Sequence, residues 1–310
     1  MLVAAAVCPC PPLLVPEVAA GAAPELDTAR AACADALGVL AAARPDLLVV
    51  VGPAEQSGRG VHAEGTRGSF RGFGVDVDVR LGAGGAGGVG VGPGAAGGAG
   101  VGVRPGADGG AGVGVRPGAD GGVGVGVGPG AAGGEGVGVR PGADGEVGVD
   151  AGQGADHGDD EEPRPLPTSL AVAAWLLERT GWSDAPIEGL GVGEPLEPER
   201  CIQTGRGIAG RAERVALLVM GDASACRTLK APGYLDERAA PFDAEVARAL
   251  GAADVAALRA LDAELAYELK ASGRAPWQIL AGAADGAGLG GSLLYEDAPY
   301  GVGYVVAAWS

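Results

Sequence analysis

The chain has 310 residues, 61 of them glycine and 22 proline, and a net charge of −17. Its only lysines are Lys230 and Lys270, so no basic patch neutralises a phosphate backbone or an anionic bilayer, and nucleic acid and membrane are excluded as direct partners. No apolar run reaches the roughly 18 to 20 residues of a membrane span, and five cysteines without framework spacing point to reduced thiols and a cytoplasmic protein.

In chain order, Leu2 to Val7 is a continuous apolar run that meets Pro9, Pro11 and Pro12 without a preceding basic segment, which predicts a strand rather than a signal peptide. Leu26, Cys33, Leu37 and Leu40 form a helical stripe, and Leu47 to Val51 is a second run of the kind covered on both faces. His62 follows in a Gly-flanked polar loop. Val75, Val77, Val79 and Leu81 alternate with Asp76, Asp78 and Arg80, the pattern of a half-exposed strand near a sheet edge.

Composition then changes: 34 of the glycines fall in the 83 residues from Gly82 to Arg164. From Val89 to Gly148 a twelve-residue unit, V-G-V-(G/R)-P-G-A-(A/D)-G-(G/E)-x-G, repeats five times. Each unit offers a few valines and no aromatic, so burial does not offset the backbone entropy its glycines lose on ordering, and residues 82–164 are expected to be a disordered insertion. An expanded, tolerated loop is the simpler reading; turn formation at each Pro-Gly leaves a binding or elastomeric role open. Asp159-Asp160-Glu161-Glu162 closes the segment as a solvated run, with His157 inside it.

Beyond the insertion, Thr168 is placed to cap a helix whose Val172, Trp175 and Leu176 face inward and which Gly181 ends. Val215 to Met220 is a third buried strand, and Leu258, Leu261, Leu265 and Leu269 predict a further helix. Leu293 to Tyr295 and Val302 to Ala307 read as two strands around a turn. The whole predicts one discontinuous layered α/β domain, residues 1–81 and 165–310, with a central mixed sheet flanked by helices.

Chemistry in such sheets gathers at loops leaving strand ends, here Cys8 to Pro12, Gly52 to Ser57 and Gly221 to Arg227. No G-x-S-x-G elbow is present, so a Ser-His-Asp hydrolase is not expected. Gly286-Ala-Gly-Leu-Gly-Gly291 matches G-x-G-x-x-G but follows a helix and precedes a strand, the reverse of the context that holds a pyrophosphate. Cys8 and Cys10 could hold a soft metal together with Cys226, or be small buried residues. Asp222, Ser224, Arg227 and Lys230, with Tyr234 nearby, suit a small anionic or phenolic ligand; alternatively Asp222 caps the turn and pairs with Arg227.

Three segments carry a family resemblance. Ala4-Ala-Ala-Val-Cys-Pro-Cys-Pro-Pro-Leu-Leu-Val-Pro-Glu17 resembles the opening of the class III extradiol ring-cleavage dioxygenases of the B type. Gly221-Asp-Ala-Ser-Ala-Cys-Arg-Thr228, followed by Ala231-Pro-Gly-Tyr234 and Phe242-Asp243, is similar to that family's Gly-Asp-x-Ser-His-Arg segment. Tyr295-Glu-Asp-Ala-Pro-Tyr-Gly-Val-Gly-Tyr304 is similar to its C-terminal motif.

The resemblance implies an Fe(II) site of two histidines and one glutamate that chelates a catechol, with a further histidine as base. In this sequence the carboxylate falls on Glu296, the first histidine ligand on Cys10, the second on Ala54 and the base on Cys226. The leading expectation is therefore a catalytically degenerate relative, without a cofactor, whose old active-site cleft binds a small molecule or a protein partner. Fe(II)-dependent ring cleavage with Glu296 retained, and thiol chemistry at Cys10 or Cys226, are the alternatives.

Overall fold

The computed structural model describes residues 1–82 and 164–310. The three continuous apolar runs become β1 (Leu2–Cys8), β2 (Leu47–Pro53) and β7 (Val215–Met220), buried along nearly their whole length as inner parallel strands require. With β3 (Gly60–His62), β6 (Ile187–Val192), β8 (Gly291–Asp297) and β9 (Tyr304–Trp309) they form a seven-stranded sheet in the order β3-β6-β2-β7-β1-β9-β8. The inner strands β6, β2, β7 and β1 are mutually parallel, β3 and β9 join antiparallel, and β8 pairs antiparallel with β9. The expected mixed sheet is thus the one observed.

Helices cover both faces. Side chains at alternate sheet positions, among them Ala4, Ala6, Leu48, Val50, Ala216 and Leu218, pack under α1 (Pro16–Ala19), α2 (Asp27–Ala42) and α3 (Thr168–Thr180). The intervening residues, among them Ala5, Val7, Val49, Val51, Leu217 and Val219, pack under α4 (Pro198–Ala209), α5 (Ala239–Gly251), α6 (Val255–Arg259), α7 (Ala263–Glu268) and α8 (Arg274–Ala283). This is the period-two partition of side chains between two cores. α4 and α8 approach until backbone meets backbone: a Cβ on Gly205 would stand 2.0 Å from the Ile279 carbonyl oxygen, and one on Gly282 2.2 Å from that of Ile202.

Four expectations need correction. Thr168 opens α3 but does not cap it; the cap position is Pro167, with no side-chain hydrogen bond, while Gly181 does end the helix in the left-handed region. The leucine stripe from Leu258 to Leu269 is split between α6 and α7, because the Asp262 carboxylate accepts from the amides of Glu264 and Leu265 and so restarts the helix. The alternating run before the insertion supplies only β5 (Asp78–Arg80), which pairs with β4 (Arg67–Ser69) in a separate ribbon and not with the main sheet. His62 is buried on β3, not looped out. The repeats and His157 lie outside the described residues.

Candidate functional site

Parallel strands end together, so their exit loops share one edge of the sheet. The chain leaves β1 and β2 toward the α2–α3 face and leaves β6 and β7 toward the α4–α8 face. Neighbouring exit loops therefore diverge at every junction of β6-β2-β7-β1, which is the topology that opens ligand crevices beyond the carboxyl ends of strands. All three loops singled out in the sequence lie on this rim.

Register brings Cys10 and Asp222 together. Cys8 is paired with Met220, the Gly221 amide donates to the Cys8 carbonyl at 3.0 Å, and two residues on the Cys10 amide donates to Asp222 Oδ1 at 2.8 Å. Cys10 Sγ stands 3.8 Å from Asp222 Oδ2. The Asp222 amide donates to Ser272 Oγ at 3.1 Å, and its carbonyl accepts from the Gly273 amide at 2.9 Å. Such closeness requires glycine at 221, since a Cβ there would stand 2.4 Å from Gly273 Cα.

Electrostatics follow from this burial. Desolvation outweighs the hydrogen bonds from Cys10 and pushes the Asp222 carboxyl up to about 6. Burial, with Asp222 alongside, also holds the Cys10 thiol well above the ordinary range. The Tyr304 phenol is buried and raised too, by desolvation first and then by Asp222. At neutral pH the Cys10 thiol and the Tyr304 phenol therefore keep their protons, while Asp222 releases its own as pH rises through about 6.

Ser272 also joins Pro53, Ala54, Glu55, Arg59, Glu194 and Pro195 in lining a cavity of about 310 Å³ between the β2 and β6 exits. The Ala54 amide donates to the Val192 carbonyl at 2.7 Å and fixes that junction. Across the β2 loop lies a larger cavity of about 590 Å³, where Pro53 to Gly58 face Arg164 to Thr168. Ser169 Oγ donates to the Pro53 carbonyl at 2.6 Å and draws the start of α3 to the end of β2. On the β6 side the buried Arg274 guanidinium donates to the Leu196 carbonyl at 2.6 Å and to that of Glu194, holding the loop in place. Burial raises the Glu194 carboxyl.

The remaining candidates do other things. Asp243 is buried and accepts from the Ser224 amide at 2.8 Å, from Ser224 Oγ at 2.9 Å and from the Arg227 guanidinium at 2.9 Å. Ser224 and Arg227 are therefore committed to a carboxylate the sequence reading left unassigned, and Arg227 pairs with Asp243, not Asp222. Gly303 closes over this network, with room for no Cβ beside Asp243 Oδ2. Lys230 and Tyr234 are exposed, and neither is among the residues that line these two cavities. Cys226 is buried in the core of the α4–α8 face; its thiol donates to the carbonyls of Leu269 at 3.4 Å and Gly233 at 3.5 Å, and burial raises it. A thiol in that state is not an activated nucleophile.

Nor do the residues fit an iron centre. Ala54 has no donor atom, Cys10 is engaged with Asp222, and Glu296 is exposed on β8, the outer strand. His62 does not stand in for a ligand, because its Nε2 donates to the Gly58 carbonyl at 2.9 Å. Cys8 and Cys10 belong to one core and Cys226 to the other, and among the described residues no three His, Cys, Asp or Glu side chains gather as metal ligands would. Gly286 to Gly291 runs from α8 into β8, as its sequence context indicates.

Ser272, Arg59, Glu194 and Pro195 were not legible as site residues. They arrive from three separate parts of the chain, without a local motif to mark them. No protein-family model and no curated protein matches the chain. Among solved structures, an uncharacterized protein from Escherichia coli K12 is similar at 16% identity and a TM-score of 0.29, over 50% of this chain and 63% of that one.

Proposed function

We propose that the protein is a non-catalytic relative of the B-type class III extradiol dioxygenases, which binds a small organic molecule in the crevice beyond the carboxyl ends of β6, β2 and β7. The observation that carries this reading is the cavity lined by Ala54, Arg59, Glu194 and Ser272, which Ser272 links to the protonatable pair Cys10 and Asp222 by accepting from the Asp222 amide. Its lining combines apolar Pro53, Ala54 and Pro195 with a few converging polar groups, the composition of a ligand pocket. The position that the family resemblance assigns to an iron ligand is Ala54, whose methyl group adds apolar wall where a metal donor would stand. With Cys226 and Cys10 both holding their protons, thiol chemistry is disfavoured as the occupation of the site.

Ligand-observed NMR of the full chain against a set of phenols, catechols and small carboxylates tests this. Binding of at least one class is expected without added metal, and Ala54→Trp, which fills the crevice, abolishes it while circular dichroism shows an unchanged melt. Signals that persist in Ala54→Trp, or no binding by any class, would sink the reading. Stoichiometric Fe(II) uptake together with oxygen consumption on catechol, both lost in Glu296→Ala, would restore the ring-cleaving alternative.

A further inference from the structure

Independently of that crevice, one edge of the sheet is open. Among the described residues β8 is the outer strand, hydrogen-bonded only to β9, and at seven residues it equals the longest strands of the sheet. Natural edge strands are usually short, covered, charged or bulged, because their unpaired amides and carbonyls invite another strand; β8 carries two acids and a bulge yet keeps its full length. Here Leu293 is 42% and Leu294 39% exposed. Leu294 is also the residue that the β8–β9 register skips, with Leu293 opposite Ala307 and Tyr295 opposite Val306, so no β9 residue is paired with it.

We propose that two copies of the chain associate edge to edge through antiparallel β8 strands related by a two-fold axis at Leu294. That axis follows from the charge pattern of the strand. It sets Glu296 of one copy opposite Ser292 of the other, and Asp297 opposite Gly291, so that each acid faces a small neutral residue and the leucines meet at the centre. A parallel in-register pairing would put acid against acid, which is destabilising. The other edge of the sheet, β3, has only three residues and offers no matching length. An isologous contact of this kind closes as a dimer.

The contact is small and belongs to the weak class of interface. Each copy also carries a net charge of −17, so long-range repulsion opposes association and salt strengthens it by screening. Salt dependence of that sign separates an apolar edge contact from one made by ion pairs.

The test uses the full chain with one added thiol, because all five native cysteines are buried. Leu294→Cys places a thiol on the two-fold axis. Val61→Cys places one on the opposite edge, at a residue that is 57% exposed. Oxidised glutathione supplies the oxidant: one thiolate displaces glutathione to form a mixed disulfide, and the thiolate of the second copy then displaces the bound glutathione, releasing two reduced glutathiones per interchain disulfide. Leu294→Cys is expected to give covalent dimer at least about tenfold faster than Val61→Cys, and faster in about 0.5 M salt than in about 0.05 M. Equal rates for the two variants would mean random collision and overturn the proposal, as would preferential cross-linking of Leu294→Cys to Val61→Cys, which signifies head-to-tail pairing. Sedimentation provides the second readout: the average mass of the wild type should rise with concentration and that of Leu294→Asp should stay monomeric. A wild type that remains monomeric at about 0.5 mM also overturns it.

Discussion

Asp222→Asn isolates a carboxyl group that burial raises to about 6. The folded protein raises it from the ordinary 3.8 to about 6, so the native state holds this proton more tightly than the unfolded chain does. The protonated carboxyl therefore contributes stability that is complete below about pH 3.8 and is lost as pH rises through about 6, a total of about 3 kcal/mol. Between about pH 5 and about pH 8 the same two values give a loss of about 1.4 kcal/mol, in a window above the isoelectric point of about 4.5. Asn keeps an acceptor for the Cys10 amide and does not ionise. Urea unfolding of wild type and variant at both pH values gives a double difference in which every other titrating group cancels. The wild type should lose about 1.4 kcal/mol more than Asp222→Asn on going to the higher pH. A double difference under about 0.4 kcal/mol, or one of opposite sign, would show that the Cys10 amide stabilises the carboxylate as much as desolvation penalises it, and the reasoning about this cluster would fail.

Two further outcomes follow from the buried contacts. Asp243→Ala leaves the Ser224 amide and hydroxyl and the Arg227 guanidinium without their common acceptor; a loss of about 3 kcal/mol or more is expected from the urea midpoint, and a loss under about 1 kcal/mol would contradict the network. Gly205→Ala forces α4 from α8, because the added methyl would lie 2.0 Å from the Ile279 carbonyl oxygen, and should cost about 2 to 3 kcal/mol. Gly207→Ala, on the same helix with nothing within 4 Å of the new Cβ, should instead gain about 0.5 to 1 kcal/mol. Equal effects at the two positions would refute the close backbone crossing.

What the sequence disclosed, and what it hid, divides by the range of the interaction. β1, β2 and β7 were legible because inner parallel strands are apolar on both faces and therefore read as unbroken runs. The C-terminal pair β8 and β9 was legible from two apolar runs around a turn. β6 was not, because its Ile-Glu-Gly-Leu-Gly-Val alternates with glycines that exist for neighbours elsewhere: a Cβ on Gly191 would lie 2.1 Å from the Gly58 carbonyl oxygen. The split between α6 and α7 was hidden by a leucine spacing that suits one helix as well as two, with only the Asp262 cap to separate them.

At the site, the three rim loops were identified by their place after strands, yet their side chains were misassigned. Ser224 and Arg227 serve Asp243, which lies beyond the loop on α5, and Glu296 stands on a strand exposed at the sheet edge. Cys10 and Asp222 are more than two hundred residues apart and meet only through the register of β1 on β7. No local pattern announces such a pair.

The strand order also dictates a sequence of events during synthesis. β1 is made before the other strands of its sheet, yet its neighbours β7 and β9 follow more than two hundred residues later, with Leu2 paired to Val215 and Ala5 to Trp309. At roughly 5 to 20 residues per second, the run Leu-Val-Ala-Ala-Ala-Val-Cys therefore waits roughly ten to forty seconds before the earlier partner, β7, has been made. Contacts this distant place the domain among slow folders, and throughout the wait a bare apolar strand needs shelter from other chains. Of the strands of this sheet, the one made first depends most on what is made last.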